Sequence, residues 1–369
     1  MKKLHHHLFK LSILVFCSLV LMELWPYSWL ISPSQMIPEE MGALSGISKC
    51  KISGKGSAEK ERLLTIPFEG LSQSKVHNVT IVTFVNGNAW ADLASNWWCS
   101  LQALQMEESA VIIALRKQLC SLVISSATCL EVPVEGLPKR FQLVGSSEYG
   151  KLLKARTSIL IDLMEQVSSP LLISDADVVF LKNPLPYLAE KTKATDVLFQ
   201  GDRSRTSLLD NNPEFFSHAC AGFVYSTNSD SAISLYRSIL SYQEGFHWND
   251  QWALNVCLRH PSVGTKWAIL DYSLFMNGHD FYSKQKGRVN DGAFIVHANH
   301  LSGFTKWVGM MNNGLWYDTS NIANICRDTI QKKWCAVKNT VYATHPCMHA
   351  AEVCAKYGVS IFVPSNSSS

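Results

Sequence analysis

The sequence predicts an α/β fold, and three observations carry that reading. Strand-length apolar runs rich in Val, Ile, Leu and Phe stand at Val79–Val85 and Leu171–Leu181, the pattern of strands covered on both faces of a sheet. An amphipathic helix, with Leu152, Ile159, Leu163 and Val167 at helical spacing, leads directly into the second run. The 369 residues are 47% hydrophobic and 17% charged, enough for a sizeable core in one large domain or two ordinary ones. Net charge is only +3, which gives no footprint of a nucleic-acid-binding surface.

At the N-terminus Lys2, Lys3 and Lys10 precede an apolar block from Leu11 to Met22, and Trp25, Tyr27 and Trp29 follow it. Basic residues before an apolar segment with aromatics at its far border predict a signal-anchor over 11–31, with residues 1–10 as a cytosolic tail. A cleaved signal peptide is the rival, since its apolar core needs only about 7–15 residues. In either case the remainder faces the lumen or the outside. Asn78-Val79-Thr80 and Asn366-Ser367-Ser368 are glycosylation sequons that fit such a location. Setting Cys17 aside leaves ten of the eleven cysteines, an even number suited to disulfides in an oxidising compartment.

Residues 32–75 mix Pro, Gly, Ser and Lys without periodicity and read as a stem. The first strand ends at Asn86-Gly87-Asn88, and a strand-to-Gly turn at the start of an α/β domain commonly faces a ligand, which makes Asn86 a candidate. There is no G-x-G-x-x-G and no P-loop. Leu93–Gln105 reads as a helix with Trp97 and Trp98 turned inward, Ala110–Leu115 as a second strand, and Ser121–Leu130 as room for another. Near the start of the amphipathic helix stand Lys151, Lys154 and Arg156. Lys151 reads as part of a solvated basic face, whereas Arg156 is placed to clamp phosphate oxygens bidentately.

The run Leu171–Leu181 encloses Asp175-Ala176-Asp177. Two residues apart in extended backbone, both carboxylates project from one face. Carboxylates beside a core need pairing, hydrogen bonds or a metal, and the first basic residue after them is Lys182. A hard divalent cation, Mg2+ or Mn2+, is the natural partner. Asn183-Pro184-Leu185-Pro186 ends the element.

Asp196–Gln200 reads as a strand, and Ala219–Thr227 as a small-residue segment running into another. Gly222 within it suggests close approach by a ligand or another backbone. Asn249-Asp250-Gln251 opens a helix, where Asp250 can serve as a plain cap or as a polar group facing a ligand. Phe294-Ile295-Val296 delivers His297 and His300, followed by Gly303 and Lys306, candidates for metal and phosphate. In the tail, Cys326, Cys335, Cys347 and Cys354 lack a C-x-x-C pair, so disulfides are preferred to zinc.

Taken together, Arg156 before its helix, Asp175-Ala176-Asp177 with Asn183-Pro184, Asn249-Asp250-Gln251 with Asn255, and His297-Ala298-Asn299 resemble the nucleotide-diphospho-sugar transferases of glycosyltransferase family 77. These are relatives of the rhamnogalacturonan xylosyltransferases and plant arabinosyltransferases. The resemblance covers roughly Val76 to Trp316 and implies a single GT-A-like, Rossmann-like domain with a mixed central sheet over 76–316. Residues 317–369 form a cysteine-rich extension beyond it. It further implies a type II Golgi membrane protein with a luminal catalytic domain, a Mn2+ (or Mg2+) ion, and transfer from a UDP-sugar to a glycan or glycoprotein with retention. By position, Asp175, Asp177 and His297 would hold the metal, Arg156 and Lys306 would neutralise phosphate, and Asp250 and Gln251 would stand by the donor sugar. His300, Gly303 and Lys306 also make the H-x-x-G-x-x-K spacing of the glycogenin-like family, so His300 is the alternative ligand. Xylose, arabinose and galactose all remain open as the sugar. The competing functions are a secreted glycoside hydrolase and a non-catalytic luminal sugar-binding protein. Carboxylates sharing one strand face are poorly placed to flank a glycosidic bond, which hydrolases do at about 5–10 Å separation.

Overall fold

A computed structural model of the chain describes residues 79–137, 146–202, 218–246, 249–259, 264–301, 303, 305–327 and 344–360. The tail, anchor and stem expected over 1–75, both sequons' asparagines, His247, Trp248 and Cys335 lie outside these residues. Among the described residues no helix is long and apolar enough to cross a membrane.

The larger sheet has seven strands: β1 (Thr80–Val85), β2 (Ala110–Ala114), β3 (Cys129–Glu131), β4 (Leu171–Ser174), β6 (Val197–Asp202), β7 (His218–Ser226) and β8 (Trp267–Ile269). Their order is β3-β2-β1-β4-β7-β6-β8. β3, β2, β1 and β4 run parallel, β7 is antiparallel to both β4 and β6, and β8 is again parallel to β6, so the sheet is mixed. The reason for these strands is burial: β1, β2 and β4 are apolar almost throughout and inaccessible, as strands covered on both faces must be.

The two faces are filled by different helices. Ile81, Leu172, Leu198 and Tyr225 point to one side, where α1 (Asn88–Gln102) lays Trp97 and Trp98 against them. Val82, Leu171, Ile173 and Val224 point to the other, under α2 (Ser147–Gln166), α4 (Asp230–Phe246) and α5 (Asp250–Arg259). This alternation is the period-2 signature of strands read out by packing. Ser146 caps α2 by accepting from the Tyr149 N–H at 3.2 Å. Helix α1 starts earlier than the sequence suggests, at Asn88, and ends at Gln102, because Gln105 takes a left-handed φ of 58°.

A second, three-stranded sheet has the order β5-β10-β9, with β5 (Val178–Phe180), β9 (Phe275–Met276) and β10 (Ile295–His297). Its place corrects one expectation. The run Leu171–Leu181 is two strands in two different sheets, and Asp175, Ala176 and Asp177 form the turn between them, closed by Val178 N–H donating to Asp175 C=O at 3.1 Å. The two carboxylates therefore do not share a strand face.

Chain order reverses between β1 and β4: β2 and β3 lie on one side of β1, and the next strand in sequence, β4, on the other. At such a switch point the carboxyl ends of the strands open a crevice that helices cannot cover. Asn86 follows β1 and Asp175 follows β4, so both stand at its mouth.

Cystines join Cys120 to Cys129 and Cys326 to Cys354. Among the described residues Cys220 and Cys257 are buried and free, so the disulfides suited to this cysteine count do not include these two. The C-terminal extension is part of the domain. After α3 (Leu185–Lys191) and α6 (Thr305–Asn312), α7 (Thr344–Lys356) contributes Val353 and Cys354 to the core on the α1 side. Beyond it the Tyr357 hydroxyl donates to the Met311 carbonyl at 3.2 Å.

Trp97 ties the two sheets together: its indole N–H donates to Ser174 Oγ at 3.1 Å and its ring meets Phe180 edge-on at 6.5 Å. Trp97→Ala is expected to cost about 3–5 kcal/mol by urea denaturation, and Trp97→Phe, which keeps most of the volume, less than half of that.

Candidate active site

The site is assembled where β4 ends. The turn Asp175–Asp177 sits beside the end of β10, because His297 pairs with Val178 across β5/β10 and the Ala298 N–H donates to the Asp177 carbonyl at 3.0 Å. The His297 Nε2 atom thus lies 3.4 Å from Asp177 Oδ1 and 3.7 Å from Asp175 Oδ2. One ligand atom from each of Asp175, Asp177 and His297 falls within 4.8 Å of the others. Asp177 and His297 are each 1% exposed, while Asp175 is part-exposed toward the crevice. Asp177 Oδ1 and His297 Nε2 are buried with no hydrogen-bond partner. A carboxylate oxygen and an imidazole nitrogen facing each other in a dry site are costly unless a proton or a metal cation stands between them. Oxygen and imidazole donors in this arrangement fit Mn2+ or Mg2+. His297 rather than His300 belongs to this cluster; His300 is exposed, its ring 5.2 Å from that of His279.

Gly222 explains how three side chains fit so closely. Its carbonyl accepts from Asp175 N–H at 2.7 Å, and a Cβ there would lie 2.5 Å from both Asp175 Oδ2 and His297 Cε1. The close approach that the sequence suggested is made here by the backbone of Asp175 and by the side chains of Asp175 and His297.

The cations expected to meet phosphate are found on the carboxylates. Arg156 is buried, with Nη2 at 3.0 Å from Asp175 Oδ1 and Nη1 at 3.3 Å from Asp250 Oδ2. Nη2 also donates to the Ala221 carbonyl at 3.2 Å, and the guanidinium lies over the Phe84 ring. Both terminal nitrogens are thus engaged by groups of the site itself, and Arg156 ties Asp175, Asp250 and Ala221 together. Lys306 is ion-paired to Asp177 Oδ2 and lies over the Trp90 ring. The absence of basic neighbours along the sequence is thus made good by chain folding.

Electrostatics follow from these contacts. Burial raises the cost of an ionised Asp177, but Lys306 and then His297 overcome it and hold this carboxyl far below its usual range. Burial works against a charged His297, and Asp177 outweighs it, pushing the imidazole up to about 10. Asp250 moves upward, because burial is a larger effect than the attraction of Arg156. Burial and then Asp250 raise the Tyr149 phenol well above its ordinary range.

On the far side of Arg156, α5 begins at Asp250, but the cap is Asn249, whose Oδ1 accepts from Trp252 N–H at 2.7 Å. Asp250 is therefore not needed as the cap. Gln251 Oε1 accepts from Ala221 N–H at 3.3 Å, and its Nε2 donates to Asp202 Oδ2 at 2.8 Å. Asn255 pins both backbone groups of Ala219, at 2.8 Å each. The Asn86 Oδ1 is buried without a hydrogen-bond partner at the end of β1. The sequence reading missed Gln200, Asp202, Trp90 and Tyr149. A signal for two of them existed, since Gln200-Gly201-Asp202 closes an apolar strand with polar residues, as Asp175 does.

A cavity of about 500 Å³ lies farther along, lined by Asp271, Tyr272, Asp280, Lys284 and Asn290 among others. The Tyr272 ring closes on Gly201, the neighbour of Asp202.

The family model described as nucleotide-diphospho-sugar transferase matches residues 110–339. Two proteins of Arabidopsis thaliana are similar. Beta-arabinofuranosyltransferase RAY1 is 24% identical over 277 residues, which is 66% of this chain and 49% of that protein. Arabinosyltransferase XEG113 is 29% identical over 231 residues, 56% of this chain and 34% of that protein. The chain thus spans about half or less of the length of these relatives. Among solved structures, a galactosyltransferase, LgtC, aligns at 12% identity and a TM-score of 0.42 over 64% of this chain and 94% of its own. Mouse xyloside xylosyltransferase 1 aligns at 14% identity and a TM-score of 0.40, over 60% of this chain and 97% of its own. Overlaps that loose carry no functional inference.

Arg156→Met leaves Asp175 and Asp250 facing each other, and losing the one cation between them is expected to cost about 3–5 kcal/mol at neutral pH. The sign with pH is fixed by Asp250, whose carboxyl is already raised in the folded protein and rises further without Arg156. The folded variant takes up a proton before the unfolded chain does, so its deficit relative to wild type shrinks as pH falls through that raised value. Urea melts at pH 7.5 and pH 4.5 measure the difference; an equal deficit at both would mean that charge repulsion is not the cause.

Proposed function

The chain belongs to the nucleotide-diphospho-sugar transferases and is a glycosyltransferase, and on that premise we propose that it is metal-dependent, uses a UDP-sugar, and transfers the sugar with retention to a glycan or glycoprotein. The observation that carries this reading is the cluster of Asp175, Asp177 and His297, with two orphaned ligand atoms in a dry site. These three residues would hold Mn2+ or Mg2+, whose charge would offset that of the departing diphosphate. Lys306 is close enough to share that task, since it rests on Asp177 and slides over Trp90 rather than into the core. Arg156, 3.0 Å from Asp175 Oδ1, holds that side chain in place at the crevice.

The donor sugar is proposed to lie by Asp250, Gln251 and Asp202. Positive charge developing at the anomeric carbon would be stabilised by these oxygens. Asp250 is held by Arg156 and Asp202 by Gln251, an arrangement that suits stabilising charge in a same-face displacement better than forming a covalent bond. Arabinose is the first choice of sugar, ahead of xylose and galactose, because both plant relatives are named for arabinose transfer. The acceptor is proposed to enter by the cavity beside Tyr272.

We place the domain in the Golgi lumen on a single-pass type II anchor over 11–31. The two cystines among the described residues support an oxidising compartment. Neither a glycoside hydrolase nor a non-catalytic sugar-binding protein is favoured. The family is one of transferases, and Asp177 is buried against Lys306, where it can neither donate nor accept a proton at a glycosidic oxygen.

Purified luminal domain incubated with Mn2+ and a panel of UDP-sugars is expected to release UDP from one of them, and chelation to stop it. Asp177→Asn preserves the side chain's shape and should still fold, at a lowered melting temperature because Lys306 loses its buried partner, while losing roughly 100- to 1,000-fold in turnover; undiminished Mn2+-dependent UDP binding in that variant would remove Asp177 from the ligand set. Tyr272→Ala is expected to raise the acceptor KM several-fold and leave slow hydrolysis of the donor by water unchanged. Equal loss of both reactions would mean that the cavity is not the acceptor's.

A further inference from the structure

We infer that Gln200 is a positioning residue that fixes the tautomer of His297, so that the ring presents an unprotonated Nε2 to a divalent cation. The inference rests on the proposed metal site and adds to it a residue that makes no contact with the ion. Gln200 is fully buried near the end of β6, next to the point where the β6/β7 register breaks between Phe199 and Gln200. After that break Gln200 lies opposite Cys220 rather than continuing the regular pairing, which leaves Ala221 and Gly222 to bulge toward Asp175.

The side-chain amide has one possible orientation. Its Nε2 donates to the carbonyls of Phe275 at 3.2 Å and Met276 at 3.1 Å, which uses both of its hydrogens. Turned over, the amide would set its oxygen against two carbonyl oxygens and leave all three unsatisfied. Oε1 is therefore directed at His297 Nδ1, 2.7 Å away. An amide oxygen only accepts, so Nδ1 must carry the hydrogen and donate it. The other ring nitrogen is then the one left to face Asp177 Oδ1 and Asp175 Oδ2. Cys220 Sγ, 3.9 Å from Nδ1, is too distant and too weak an acceptor to do this in place of Gln200. The same hydrogen bond fixes the plane of the ring, and with it the direction of the Nε2 lone pair.

A role of this kind predicts a defect in metal binding before any defect in transfer chemistry. Gln200→Met keeps the volume and removes the acceptor. With UDP present, Mn2+ affinity by calorimetry, or by the free-ion signal in electron paramagnetic resonance, is expected to fall roughly 10- to 100-fold. UDP binding without metal should not change. Wild-type Mn2+ affinity in a folded Gln200→Met protein would overturn the inference while leaving the metal-dependent reading intact. If wild-type protein with UDP binds no Mn2+ at all, both fall together. Should Gln200→Met not fold, the wild-type protein gives the answer directly. Long-range nitrogen–proton correlation spectra of histidine-labelled protein with UDP and Mg2+ are expected to show His297 protonated at Nδ1. Protonation at Nε2 would overturn the assignment.

Discussion

Arg156 is the interaction on which the site depends. A single buried guanidinium bridges Asp175, in the turn after β4, and Asp250, at the head of α5. It also donates to the backbone of Ala221, on the strand between those elements. Without a cation at that point two carboxylates and a carbonyl oxygen would converge in a low-dielectric space, and the turn that presents Asp175 would have no reason to close. The planar fork matters, since it reaches three oxygens from three elements at once, which a lysine's single nitrogen does less well. Phe84 beneath it supplies an apolar floor without competing for its hydrogens.

Around that bridge the site follows a consistent division of charge. One carboxylate is held by Arg156 and the other by Lys306, so neither is unbalanced, yet each keeps an oxygen directed to the same small volume as His297. Rigidity comes from the backbone: Gly222 admits no side chain between the ligands, and the second sheet fixes His297 against Val178. Gln200 extends the same logic one layer outward, from the ligand to the group that orients it.

The sequence determined the α/β class, the helix-and-strand sequence around the switch point, and the identity of the residues that come together. Asp175, Asp177, His297, Arg156 and Asp250 were all legible because charged or titratable residues at the ends of strongly apolar elements are expensive and stand out against them. Tertiary structure decided what those residues do to one another. Nothing along the chain shows that Leu171–Leu181 divides between two sheets, since apolar runs on both sides look alike whichever sheet receives them. Nor does it show that Arg156 would reach carboxylates 19 and 94 residues away, or that Gly222 would make room for the side chains of Asp175 and His297. That His297 rather than His300 stands beside Asp175 and Asp177 follows from strand register, because β10 ends with His297 against Val178 while the chain has left the sheet by His300. For Gln200 the sequence offers only a polar residue closing an apolar strand; its meaning lies in the carbonyls of Phe275 and Met276 and the ring of His297, contacts 75 to 97 residues distant that only packing creates.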